Sequence, residues 1–188
     1  MTSSKRAVLM GCAVLSLTGL SACGGGGRYG YTRTYSYYGD EERYARQANE
    51  NAVHDEVRRL PDRFANQLIS WFGVVTEATP AANGTMRVGL QLRTHQERHL
   101  CEDETEGSCR VTVSEADGGA FTAILQHVPA DEQHGENRIQ PGSLVHVYAR
   151  LVPGEYDSNG GPVLRAEFYR HWPRGQYVTT AARGAWRR

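Results

Sequence analysis

Residues 140–152 read QPGSLVHVYARLV, a turn followed by a strand. Gln140-Pro141-Gly142-Ser143 puts proline where φ must sit near −65° and glycine where φ must be positive, the pattern of a type II turn. From Leu144 the period is two: Val145, Val147, Ala149 and Leu151 share one face, and His146, Tyr148 and Arg150 share the other. One face is dry and one is polar, as in a half-buried antiparallel sheet. Asn159-Gly160-Gly161 then closes a hairpin into residues 163–170, with Leu164, Ala166 and Phe168 inward and Arg165, Glu167 and Tyr169 outward.

Moving outward, the same texture runs through the middle of the chain. Residues 71–77 (WFGVVTE) read as a strand, Asn83-Gly84 as a hairpin turn, and residues 85–94 as its return, with Met86, Val88, Leu90 and Leu92 on one face. Residues 109–114 and 120–128 are two further strands separated by Asp117-Gly118-Gly119, and the polar stretch 129–139 is a loop or a single helical turn. Five or six short strands joined mostly by tight turns predict a mainly β fold, a small five- to six-stranded antiparallel barrel over residues 61–178 with a tail at 179–188.

Residues 40–60 differ: acids in the first turn, no Gly or Pro, and Tyr44, Ala48, Ala52, Val57 and Leu60 at helical spacing predict one amphipathic helix ended by Pro61. His54 on it reads as a solvated surface residue. Residues 23–39 combine glycine and tyrosine with almost no aliphatic side chains and are expected to be a flexible tether. Its tyrosines suit either a biased linker or stacking on cell-wall sugars.

The N-terminus sets the expected compartment. Lys5 and Arg6 precede a charge-free run at 7–22, too short at 1.5 Å per residue to span a bilayer core of about 30 Å, so residues 1–22 read as a signal peptide. Leu20-Ser21-Ala22-Cys23 resembles the lipobox of bacterial lipoproteins, which implies lipidation at Cys23 and a palmitate-type lipid anchor in the cell envelope. Gly24 rather than aspartate after the cysteine resembles an outer-membrane address.

The order of Trp71, Gly73 and Val75, then Gly119 and Phe121, then the Pro-Gly-x-x-Val-x-Val-x-x-x-Leu run at 141–151, then Tyr169, Pro173 and a late Trp186 resembles the Slp family of outer-membrane lipoproteins. The resemblance implies an OB-like barrel and an outer-membrane location, and it carries over no catalytic residue. Phe72, Ala120 and Ala149 stand where that family's motifs have Gly, Arg and Gly.

The chain carries 21 basic and 21 acidic residues; removal of Lys5 and Arg6 with the signal leaves 19 basic against 21 acidic. This balance is expected to exclude nucleic acid as a partner. Cys101 and Cys109 are expected to form a disulfide in an oxidising envelope. His95, His99, Cys101 and Cys109 are the alternative, a metal set of four ligands, although the spacing matches no common zinc motif. The acids between the cysteines read as solvated charge rather than a calcium loop. No cofactor is expected, and no hydrolase or phosphate-loop motif is present, so the expectation is no enzyme. His146, Tyr148, Arg150, Arg165, Glu167 and Tyr169 form a possible ligand face, in competition with ordinary cross-strand pairing. The predicted function is a non-enzymatic envelope lipoprotein, structural or accessory, with an envelope complex or peptidoglycan as partner; the alternative is a ligand-binding module for a cell-wall glycan or small molecule.

Overall fold

The computed structural model describes residues 31–81, 84–100 and 110–182. Five strands close a barrel in the order β2-β3-β6-β8-β7: β2 is Ile69–Pro80, β3 Met86–Arg93, β6 Ala120–Leu125, β7 Leu144–Tyr156 and β8 Pro162–Trp172. The chain is mainly β with a closed barrel, as the turn and period signals predict, and the barrel has the OB-type character that the family resemblance implies. Four of its strand pairs are antiparallel, and the β6–β8 pair that completes the closure is parallel. The turn at 140–143 forms as read: the Ser143 N–H donates to the Gln140 carbonyl at 2.9 Å and Gly142 has φ +89°.

Alternation fills the barrel. Ile69, Trp71, Val75, Val88, Leu90, Phe121, Val145, Val147, Ala149 and Leu164 meet inside, nearly all without solvent contact. Burying such side chains is the main favourable term, about 1.5–3 kcal/mol each. The Trp71 indole N–H reaches the Ala52 carbonyl at 2.8 Å, so its one polar atom is satisfied.

A second sheet, β1-β4-β5-β9, lies outside the barrel, with β1 Tyr31–Thr34, β4 His95–Leu100, β5 Arg110–Val113 and β9 Tyr177–Thr179. Two expectations change here. The strand read at 109–114 belongs to this outer sheet rather than to the barrel, and part of the expected tether is a strand: Arg33 and Thr34 pair with His99 and Arg98. The pattern of residues 31–34 reveals nothing of this, because an edge strand is held by its partner's backbone and not by its own apolar face.

The single helix expected at 40–60 is instead two short ones, α1 (Glu41–Ala45) and α2 (His54–Arg59), and Pro61 opens a third, α3 (Pro61–Phe64). Asn49 ends α1's path. Its N–H donates to Leu68 O at 2.7 Å, its carbonyl accepts from Ser70 N–H at 3.3 Å, and its side chain binds Gln67 and the Asn51 N–H. Asparagine competes with helix hydrogen bonding in this way, and here it stitches the segment to the start of β2. His54 is buried rather than solvated, and its Nε2–H donates to Ala120 O at 2.7 Å. Gly119 makes room for that ring: its φ is +109° and a Cβ there would lie 2.5 Å from the imidazole.

Strand β8 also departs from simple alternation. Ala149 pairs with Ala166 and Tyr148 with Phe168, so Glu167 is an extra residue, a β-bulge. Beyond the bulge the faces exchange. Phe168 turns outward to stack on Tyr44 at 5.1 Å, correcting the expectation that it points inward, and Tyr169 packs against the barrel core.

Candidate functional site

The outward face of β7 and β8 is the expected ligand face, with His146, Tyr148 and Arg150 on β7. Its β7 part, with the adjoining face of β2, is covered by the segment from β1 to α1. Tyr148 and His146 are buried, with 0% and 2% exposure, so neither belongs to an open ligand face. The covering residue is Glu41, itself without solvent contact. Its Oε1 accepts from the Tyr35 hydroxyl, from His146 Nδ1 at 3.1 Å and from the Tyr148 hydroxyl at 3.2 Å. Its Oε2 accepts from the Tyr38 N–H at 3.0 Å and Arg170 Nη1 at 3.2 Å. A buried carboxylate survives only when so paired.

Burial alone would raise the Glu41 carboxyl. Hydrogen bonds from His146, Tyr35 and the Tyr38 backbone outweigh it and hold the group down at about 2. Burial pushes His146 down, partly countered by Glu41. Burial likewise raises the Tyr35 and Tyr148 hydroxyls, with Glu41's charge adding to it. Glu41 is therefore ionised and the groups around it are neutral donors, save Arg170.

His146 continues the chain of contacts on its other side. Phe72 stands directly opposite it across the β2–β7 ladder, and the rings stack at 3.8 Å and 13°. Ser70, two residues along β2 on the same face, places Oγ 2.8 Å from His146 Nε2. Ser70, His146 and Glu41 thus form a continuous serine–histidine–carboxylate line. The sequence shows no serine beside a base because the three lie at positions 70, 146 and 41, on two strands and an unrecognised covering segment.

Ser70 and His146 sit on the wall of a cleft of about 500 Å³ between barrel, covering segment and outer sheet. Aromatic faces (Tyr35, Tyr37, Trp71, Phe72, His95) and hydrogen-bonding groups (Glu50, Asn51, Thr94, Glu97) share its lining. His95 and His99 meet here as well, with Nε2 atoms 3.3 Å apart on strand β4, so no helix is needed to bring them together. Burial first, then the neighbouring His99 and His146, lowers His95 to about 3; burial, then Arg170, lowers His99 to about 4. Cys101, Cys109 and Cys23 lie outside the described residues, and with them the disulfide, the remaining metal ligands and the lipidation site. Among the described residues no group of three or more His, Cys, Asp and Glu is placed to hold a metal ion.

The remainder of the expected ligand face lies elsewhere. Arg150 donates to Glu167 at 2.5 Å and to Asn66 O at 2.6 Å, and Tyr169 donates to Glu132 at 2.6 Å. With Arg165 they line a separate, smaller cavity of about 220 Å³. The bulge at Glu167 and the covering segment divide the predicted six-residue face into two places.

No family model and no curated protein matches the chain. Solved structures do. A small single-stranded DNA-binding protein from Streptomyces coelicolor aligns at 15% identity over 56% of this chain and 90% of its own, with a TM-score of 0.30. The single-stranded DNA binding protein from Thermus aquaticus aligns at 19% identity over 55% of this chain and 48% of its own, TM-score 0.27. A deletion mutant of the Thermus protein gives 21%, 58%, 52% and 0.28. The chain spans about half the length of the Thermus proteins, and the likeness extends to the fold. These neighbours correct the expected exclusion of nucleic acid: their printed descriptions are of DNA-binding proteins, and an even overall charge balance does not rule that class out.

Proposed function

We propose that the chain is a lipid-anchored protein of the bacterial cell envelope, at the outer membrane, that works by holding a saccharide of the cell wall in the cleft beside Ser70 and Trp71. The observation that carries the binding reading is the make-up of the cleft wall. The Tyr37 ring, exposed at the mouth, and the half-buried Tyr35 ring offer apolar contact to a sugar ring, while Asn51, Thr94, Glu50 and Glu97 offer the hydrogen bonds that hydroxyl groups need. The anchor reading is supported by the Leu20 to Cys23 tetrapeptide and the short apolar run before it.

Two measurements test this. Sedimentation with purified peptidoglycan at moderate salt is expected to retain the protein, and Tyr37→Ala with Glu50→Gln is expected to release it without lowering the melting temperature. Retention unchanged in that double variant removes the cleft from the reading. Radiolabelled palmitate is expected to enter the wild-type chain and not Cys23→Ala; equal labelling of both sinks the anchor.

A further inference from the structure

We propose that Ser70 is an acylatable nucleophile, with His146 as its base and Glu41 as the residue that positions His146, and that the cleft takes a small O-acyl ester borne on a saccharide. The saccharide part rests on the binding reading above; the Ser70 part stands on geometry.

The geometry fixes the direction of every proton. His146 Nδ1 lies 3.1 Å from a carboxylate oxygen that can only accept, so the ring carries its proton at Nδ1. Nε2 is then a lone pair, and the Ser70 hydroxyl 2.8 Å away must donate to it. This is the resting arrangement of an activated serine: nucleophile on base, base oriented by a carboxylate. Phe72 fixes the ring plane by stacking at 3.8 Å. The ionised state of Glu41 and the depressed basicity of His146 leave the imidazole neutral and ready to accept at neutral pH. The Nε2 lone pair is spent on the hydroxyl of a residue that lines the cleft.

Exposure sets the substrate. Ser70 is 8% exposed, so a small acyl group such as acetyl reaches Oγ while a bulky one does not; the cleft of about 500 Å³ takes the alcohol portion. In the step, Ser70 Oγ adds to the acyl carbon as its proton passes to His146 Nε2. The bond from that carbon to the sugar oxygen breaks, and the sugar oxygen leaves with the proton from His146. Water then attacks the acyl-serine, losing a proton to Nε2; the carboxylic acid departs and Ser70 recovers its hydrogen. Nothing is oxidised or reduced.

The experiment is acylation of the full chain with p-nitrophenyl acetate. The expected result is a burst of nitrophenolate of one equivalent per chain, with a single added acetyl mapped by mass spectrometry to the peptide holding Ser70 and absent in Ser70→Ala. No burst above the Ser70→Ala background, or acetyl only on other residues, overturns the proposal. Glu41→Gln is expected to slow acylation by about a hundredfold or more and Glu41→Asp to restore part of it, compared on protein shown to be folded by near-ultraviolet circular dichroism. Groups facing His146 are Glu41, Tyr35, Tyr148, Arg170 and His95; burial, with Arg170 behind it, outweighs the upward pull of Glu41 and keeps the ring low, so the wild-type rate at pH 6 is expected to stay near that at pH 8. A rate that falls through the ordinary histidine range removes His146 as the base. Release of acetate from an O-acetylated chitooligosaccharide is measured beside binding of the unacetylated oligomer. Binding without acylation overturns Ser70 and keeps the binding reading; acylation without binding does the reverse.

Discussion

Replacing Glu41 by Gln perturbs the one carboxylate on which five donors converge. Its folded value of about 2 against the ordinary 4.5 corresponds to about 3 kcal/mol of stability at neutral pH, at 1.36 kcal/mol per unit. The folded value lies below the unfolded one, so that contribution is full above pH 4.5 and is lost as pH falls toward 2. Glutamine keeps the shape and loses the charge. The amide can accept at one oxygen only, so at least one of Arg170, His146 and the tyrosine hydroxyls is left facing an N–H₂ group. Urea unfolding of both proteins at pH 7, 5 and 3 measures the difference between them. It is expected to be about 3 kcal/mol at pH 7, to hold at pH 5 and to narrow to about half at pH 3. A gap that is the same at pH 7 and pH 3 would show that charge at Glu41 is not what holds the covering segment to the barrel.

Other outcomes follow from neighbouring features. His95 and His99 are held neutral well below 6.5, so the wild-type chain is expected to lose stability as pH falls from 6.5, by about 2 kcal/mol per histidine at pH 5; urea midpoints at the two pH values check this, and an unchanged midpoint refutes it. Gly119→Ala drives a methyl into the His54 ring at an already positive φ and is expected to cost about 3 kcal/mol, read as a lowered melting temperature. Phe121→Ala empties the middle of the barrel, where the ring has no solvent contact and meets Trp71 at 5.1 Å, and is expected to cost about 3–5 kcal/mol by denaturant titration. Arg150→Ala breaks a half-exposed ion pair with Glu167 and a hydrogen bond to the Asn66 carbonyl and is expected to cost about 1 kcal/mol, with no change in glycan retention.

The barrel was legible because its signals are local. Period-two alternation and the Pro-Gly and Asn-Gly turns are written in consecutive residues, and all five of its strands lie where the pattern puts them. What escaped reading depends on distant partners. Strand β1 has no apolar alternation of its own and is held by β4; α1 stops because Asn49 finds Leu68 and Ser70, nearly twenty residues on. The bulge at Glu167 exchanges the faces of β8 without any glycine or proline to announce it. The serine–histidine–carboxylate line is the extreme case. His146 was singled out as an outward polar residue, which is correct for the barrel alone; that its surroundings are dry follows only once Glu41 and Tyr35 are known to lie over it. The absence of net charge, in turn, is a whole-chain average and carries no information about any one surface.

The docking of β1 and Glu41 onto the barrel also sets a leash. With Cys23 as the proposed point of attachment, seven residues lie between it and Tyr31, eight steps along the chain, and at Tyr31 the chain is already paired into the outer sheet. Fully extended, that length reaches about 29 Å. So anchored, the cleft would be held within about one domain diameter of the lipid surface, by the β1–β4 pairing first and by the grip of a buried carboxylate behind it. Releasing β1 from β4 and Glu41 from the barrel together would about double the free length of chain and let the same site sample a deeper layer of the envelope.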